Sequence, residues 1–151
     1  MNNDLYNFSE ITISYKPMIL PPGRKQIASS KDVYGVFLSA WDENKIDYVE
    51  QFKTMFLDKS NKVIGVCDIA TGGCSAVYID PKVIFGAALK ANASSIILSH
   101  NHPSRNLAPS VQDINLTNNM ADVGRKLELP IIDHLIISPD GYYSFADDMR
   151  L

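Results

Sequence analysis

Between Ser99 and Thr117 the chain reads SHNHPSRNLAPSVQDINLT. This stretch holds two of the protein's three histidines, His100 and His102, together with Ser110 and Asp113. Two neutral imidazoles and one carboxylate are a hydrolase-type donor set, in which three protein ligands leave a fourth position for water. Bound zinc lowers the pKa of such a water to roughly 7, so the chemistry the set points to is hydrolysis at neutral pH. Each half of the pattern also has a plainer use. Ser110 and Asp113 form a capping box, which by itself only starts a helix. A His-x-His at a strand end is often a hydrogen-bonded surface pair. The joint pattern is rarer than either half, and it singles out His100, His102 and Asp113 as candidate metal ligands.

Local elements have to aim these groups. Ile96, Ile97 and Leu98 form a continuous apolar run, which predicts a strand buried on both faces with His100 and His102 just past its carboxyl end. Side chains two apart on extended backbone point the same way, so both imidazoles can reach one ion. Pro103, Ser104, Asn106 and Pro109 mark a loop. A helix follows, with Leu116, Met120, Val123 and Leu127 as its apolar stripe. Extrapolated back at ~100° per residue, Asp113 falls within about 40° of that stripe and is aimed inward. An inward acid needs a partner.

His100-x-His102, seven intervening residues, Ser110, two intervening residues and Asp113 resembles the JAMM motif of JAB or MPN+ metalloproteases. The wording HNHPS, PS-x-x-D and DHLI is similar to the bacterial RadC branch. The resemblance runs from Val49 to Phe145 and is weak before Ser29. Two departures stand out. The branch usually has glycine after HNHPS, where this chain has Arg105. Glycine permits a positive φ, so arginine predicts either a different loop path or a charge at the mouth of the site. The front of the chain is too short for the helix-hairpin-helix DNA-binding region of longer RadC-like proteins.

The resemblance also directs attention to an early strand. Residues 49–57 and 63–68 read as a hairpin joined by DKSNK. Glu50 shares parity with Phe52, Thr54 and Phe56, so it enters on the core face if the aromatics do. Amide hydrolysis needs a base for the attacking water and an acid for the leaving nitrogen, and one carboxylate can serve as both. In JAMM enzymes a glutamate from an early strand has that role, and Glu50 is the matching position. Glu43 is the nearest rival, but its loop context gives no reason to point inward. The resemblance makes Ser110 a donor to the developing oxyanion and zinc (Zn2+) the expected metal. Two histidines and a carboxylate also describe mononuclear iron oxygenase sites; the JAMM spacing favours zinc.

The remaining chain sets bounds. At 151 residues, 46% hydrophobic and 21% charged, it fits one domain with an ordinary core. A net charge of -3 argues against direct nucleic-acid binding. Cys67 and Cys74 lack zinc-knuckle spacing and read as reduced thiols. Neither a secretory signal nor a membrane span is expected, which makes the cytoplasm the default compartment. Glu10 to Tyr15 alternates as a strand, and the proline-rich stretch that follows is an extended connector. Ser29 or Ser30 caps a helix through Trp41 whose inward positions are Val33, Val36, Phe37, Ala40 and Trp41. Asp80-Pro81 starts another, with Val83, Ile84, Ala87, Ala88 and Ala91 inward. The glycines between Ala70 and Cys74 lack the spacing and lysine of a phosphate loop. In the strand 130–137, Asp133 and His134 must be hydrogen-bonded if buried. His134 can stand near the metal, but a satisfied core histidine is the plainer role.

These elements predict a single α/β domain with a mixed β-sheet flanked by helices. Residues 1–28 form an N-terminal strand and connector; 29–151 form a RadC-like JAB/MPN metallohydrolase domain. The expected function is zinc-dependent cleavage of a peptide or isopeptide bond, with a protein or peptide as substrate. The alternative is a DNA-repair or mobile-element module in which the domain binds or assembles without cutting. Oligomeric state is open.

Overall fold

The computed structural model describes residues 8–72 and 78–151. The described elements are α1 (Ser30–Ala40), β1 (Gln51–Leu57), β2 (Val63–Thr71), α2 (Pro81–Lys90), β3 (Ser95–Asn101), α3 (Val111–Lys126), β4 (Ile131–Ser138) and β5 (Gly141–Ser144), after a single 3-10 turn at Pro21–Gly23. One mixed sheet has the strand order β2-β1-β3-β4-β5. β1 pairs antiparallel with both β2 and β3, β3 and β4 are parallel, and β5 returns antiparallel to β4. This is the α/β domain that the alternation of elements predicts.

Apolar side chains on the two faces of the sheet form two cores. Phe52, Phe56, Ile96, Leu98 and Ile131 pack on one face against Ile84, Phe85 and Ala88 of α2 and Met120 of α3. Met55, Leu57, Ile97, Leu135 and Ile137 pack on the other against Val33 and Phe37 of α1, with Trp41 and Ile46. β1 and β3 are buried along their whole length, as an inner strand covered by helices on both faces must be.

Helix starts follow local chemistry. Ser29 caps α1 in a capping box with Asp32, and the Asp80 side chain accepts from the Lys82 amide ahead of Pro81 in α2. In three places the packing differs from the sequence expectation. Residues 10–15 are not in a strand; Ile11 and Ile13 are more than four-fifths exposed, because alternation supplies an apolar face but no neighbouring strand to cover it. In α2, Phe85 is buried and Val83 is half-exposed, so the inward face is rotated toward the bulkier ring. In α1, Ala40 is exposed. The glycine-rich turn and Cys74 fall largely within 73–77, outside the described residues. Among the described residues no helix is long and apolar enough to cross a membrane.

Candidate metal centre

The site lies on the α2/α3 face of the sheet, at the carboxyl end of β3. His100 is the penultimate residue of that strand rather than past its end, and His102 follows it by two. Strand parity therefore places both rings on the face that carries Ile96 and Leu98. Asp113 reaches the same point from the first turn of α3. Ser110 is the N-cap of α3: its Oγ accepts from the Asp113 amide at 3.0 Å, and the Asp113 carboxylate accepts from the Ser110 amide at 2.7 Å. The capping box thus leaves the carboxylate able to face the histidines. The box fixes the first turn, and its acid turns a carboxylate edge toward the histidines.

Nε2 of His100 and Nε2 of His102 are 3.0 Å apart. Asp113 Oδ1 lies 3.2 Å from the first and Oδ2 3.4 Å from the second. A tetrahedron of zinc–ligand bonds of about 2.05 Å has edges of about 3.3 Å, so the three groups already stand at the spacing of one metal's ligands. They form a group of donors able to hold a metal ion.

The protons support the same conclusion. His102 Nδ1 is 2.5 Å from the Asn106 carbonyl oxygen, which only accepts, so the His102 proton sits on Nδ1 and Nε2 presents a lone pair. A cation is the natural partner for such converging lone pairs beside a carboxylate. Without a metal, a proton takes that place. The hydrogen bond to Asp113 raises the His102 pKa against the opposing effect of burial, with the Asn106 carbonyl and the charges of Asp113 and Glu50 adding to the rise. Burial pushes the Asp113 carboxyl up, yet the two imidazoles at its edge and the Ser110 amide outweigh it and hold the group far below the usual carboxylate range.

Glu50 sits one residue before β1 rather than within it, and is half-buried. Its charge reaches His102. The strand pairing explains why: β1 runs antiparallel to β3 with Phe52 opposite His100, so the residue two before Phe52 emerges beside the end of β3 that carries the ligands. Asn101 holds that segment. Between the two histidines strand parity turns its side chain to the other face, where Oδ1 accepts from the Gln51 amide at 2.7 Å and Nδ2 donates to Ile46 and Val49 carbonyls at 2.7 and 2.8 Å. The backbone on either side of Glu50 is therefore tied to the residue between the two candidate ligands.

The family profile for the RadC-like JAB domain matches residues 27–150. The chain belongs to that family. A UPF0758 protein of Flavobacterium johnsoniae is 38% identical over 82% of this chain and 53% of its own length. Those of Fusobacterium nucleatum and Methanosarcina mazei are 37% and 34% identical, over 80% and 83% of this chain and 51% and 53% of their own lengths. The chain thus spans about half the length of the curated relatives it matches.

Within this RadC-like JAB domain, the loop after the two histidines turns at Arg105. The loop keeps a left-handed turn, with Arg105 at φ 64. Arg105 thus takes the positive φ that glycine would permit, and its charge is turned to carboxylates of the loop before β1 and of the turn before β5. Its guanidinium grips Asp47 through Nε and Nη2, at 2.9 and 2.6 Å, and Asp140 through Nη1 at 2.5 Å. A left-handed non-glycine residue stores backbone strain, and solvent-screened ion pairs offset only part of it. The clamp ties three loops together beside a cleft of about 570 Å³ that Trp41, Glu43 and Ile46 help line.

Sequence reasoning missed two groups and underused a third. Asn101 escaped notice because parity aims it away from the candidate ligands. Thr117, one turn after Asp113, is fully buried, and its spacing of four from an inward acid was the available signal. His134 is a satisfied core histidine as expected, but its ring partners are His100 Nδ1 at 2.8 Å and Thr117 Oγ1 at 2.6 Å, directly behind the ligand set. Asp133 is also satisfied, accepting from Ser144 Oγ and from the amides of His134 and Ala146.

Proposed function

We propose that this domain is a zinc-dependent hydrolase of the JAMM type that cleaves a peptide or isopeptide amide bond. The observation that carries the reading is the convergence of His100 Nε2, His102 Nε2 and Asp113 at ligand spacing, with Glu50 two residues before Phe52, the strand partner of His100. His100, His102 and Asp113 would hold the ion. When bound, zinc would supply a water acidified toward neutral pH and polarise the scissile carbonyl. Glu50 takes the proton of the attacking water and returns it to the leaving nitrogen, the dual role that a half-buried carboxylate beside the ligands can fill. Ser110 Oγ accepts from the Asp113 amide, which leaves its own proton to donate to the developing oxyanion. The substrate is a protein or peptide that reaches the site past the loop carrying Arg105.

The test compares wild-type protein with Glu50→Gln on a panel of peptide and isopeptide substrates, with metal content measured in both. The expected result is hydrolysis by the zinc-loaded wild type and a loss of about 10²–10⁴-fold in the variant with zinc retained, since removing a general acid-base costs that much. Equal inactivity of both proteins supports the assembly or DNA-repair module instead. Iron in the purified protein together with oxygen uptake would overturn the choice of zinc.

A further inference from the structure

Behind the three candidate ligands runs a chain of hydrogen bonds in which every proton can be located. Thr117 is one helical turn beyond Asp113, and its Oγ1 lies 2.6 Å from the Asp113 backbone carbonyl oxygen. A carbonyl only accepts, and a hydroxyl has one proton, so that proton belongs to this contact, the back-bond that threonine makes to the carbonyl four residues earlier. Thr117 Oγ1 is then an acceptor toward His134 Nδ1 at 2.6 Å, and His134 carries its proton there. His134 is fully buried, with its ring stacked on Phe145 at 4.9 Å and Phe52 set against it at 5.7 Å. No carboxylate hydrogen-bonds to its ring among the described residues, so the imidazole is neutral and its Nε2 accepts. The partner is His100 Nδ1 at 2.8 Å. The His100 proton is therefore on Nδ1, and its Nε2 is bare toward Asp113 and His102.

We propose that Thr117 and His134 are positioning residues that hold His100 in the tautomer whose Nε2 lone pair faces a divalent cation. The buried Asp113 carbonyl starts the chain and the Asp113 carboxylate meets its far end, so one residue sets the direction and also receives the result. A ligating histidine usually has its second ring nitrogen held by a carboxylate or backbone carbonyl. Here another histidine fills that place, and an imidazole can accept or donate, so His134 alone leaves the direction undetermined. The threonine removes the ambiguity.

This inference rests on the metal-centre reading of the site, not on amide hydrolysis. Histidine-labelled protein stripped with EDTA is studied by two-dimensional long-range 1H–15N spectroscopy, which shows which ring nitrogen bears the proton, and zinc affinity is measured by competition with a chromophoric chelator. Wild-type His100 is expected to carry its proton on Nδ1 alone. In Thr117→Val, which keeps the side-chain shape, His100 is expected to divide between its two tautomers and zinc affinity to fall by about 10–100-fold. Thr117→Ser restores both. A wild-type proton on His100 Nε2 overturns the inference with no variant needed. So does a folded Thr117→Val whose His100 spectrum and zinc affinity are unchanged. If the tautomer and affinity effects appear in a protein that cuts no amide in the panel, the inference stands and the peptidase reading fails.

Discussion

At the scale of single residues, the site depends on groups that touch no ion. Asn101 donates and accepts three hydrogen bonds to the backbone around Glu50 while its neighbours on either side, His100 and His102, face the candidate metal position. An unpaired buried backbone group costs about 1–3 kcal/mol, so Asn101→Ala is expected to lower stability by about 2–4 kcal/mol after partial relaxation. Chemical denaturation followed by tryptophan fluorescence checks this, since Trp41 packs in the same core as Ile46. A loss under about 0.5 kcal/mol would mean that water replaces the asparagine without cost, and Glu50 would then need another support.

At the scale of elements, α3 shows how an apolar stripe can mislead. Leu116, Met120, Val123 and Leu127 recur at helical spacing, yet the fully inward line is Asp113, Thr117, Met120 and Gly124, with the same steps of four, three and four. Leu127 is the C-cap and is substantially exposed. The helix is rotated toward its polar residues because their hydrogen bonds to the histidines and the capping box offset the cost of burying them. Gly124 makes that rotation possible. A methyl group there would overlap the Leu129 carbonyl oxygen, and the Leu129 amide donates to the Gly124 carbonyl at 2.8 Å. Helix propensity alone would make Gly124→Ala stabilising by about 1 kcal/mol. Overpacking against backbone reverses the sign, and a net loss of about 1–3 kcal/mol is expected in thermal denaturation. A rise in Tm would show that α3 can slide away from the turn before β4.

For the whole molecule, the three histidines share one cluster, so the acid side of the stability profile is readable. Burial holds the folded pKa of His134 well below its ordinary 6.5, with His100 adding to the effect. The unfolded chain therefore gains a proton below about pH 6.5 that the folded protein refuses, and stability falls as pH drops, by up to about tenfold in the folding constant per pH unit. His102 acts in the opposite sense and in a higher window. Its folded pKa is raised chiefly by Asp113, so its contribution is full below its ordinary 6.5 and is lost as pH rises through the folded value. Asp113, depressed when folded, contributes above the ordinary carboxylate range and matters only at much lower pH. Denaturation of EDTA-treated protein between pH 5 and about 6.5 should show the fall, and His134→Gln should flatten it. An unchanged slope in that variant would assign the acid sensitivity elsewhere.

How far the sequence reached can be judged residue by residue. His100, His102, Ser110 and Asp113 were legible because strand parity, a capping box and helical rotation are local geometries that act over a few residues. The α/β class and every described strand from β1 to β5 followed from the same short-range patterns. What crossed the chain was decided by packing. Pairing of β1 with β3 brings Glu50 beside histidines fifty residues later, and parallel pairing of β3 with β4 sets His134 behind His100. Alternation in residues 10–15 offered a strand that no neighbour accepts. Local rules specify which way a side chain points on its own element; only the register between elements, set by burial of both faces of the sheet, specifies what it meets.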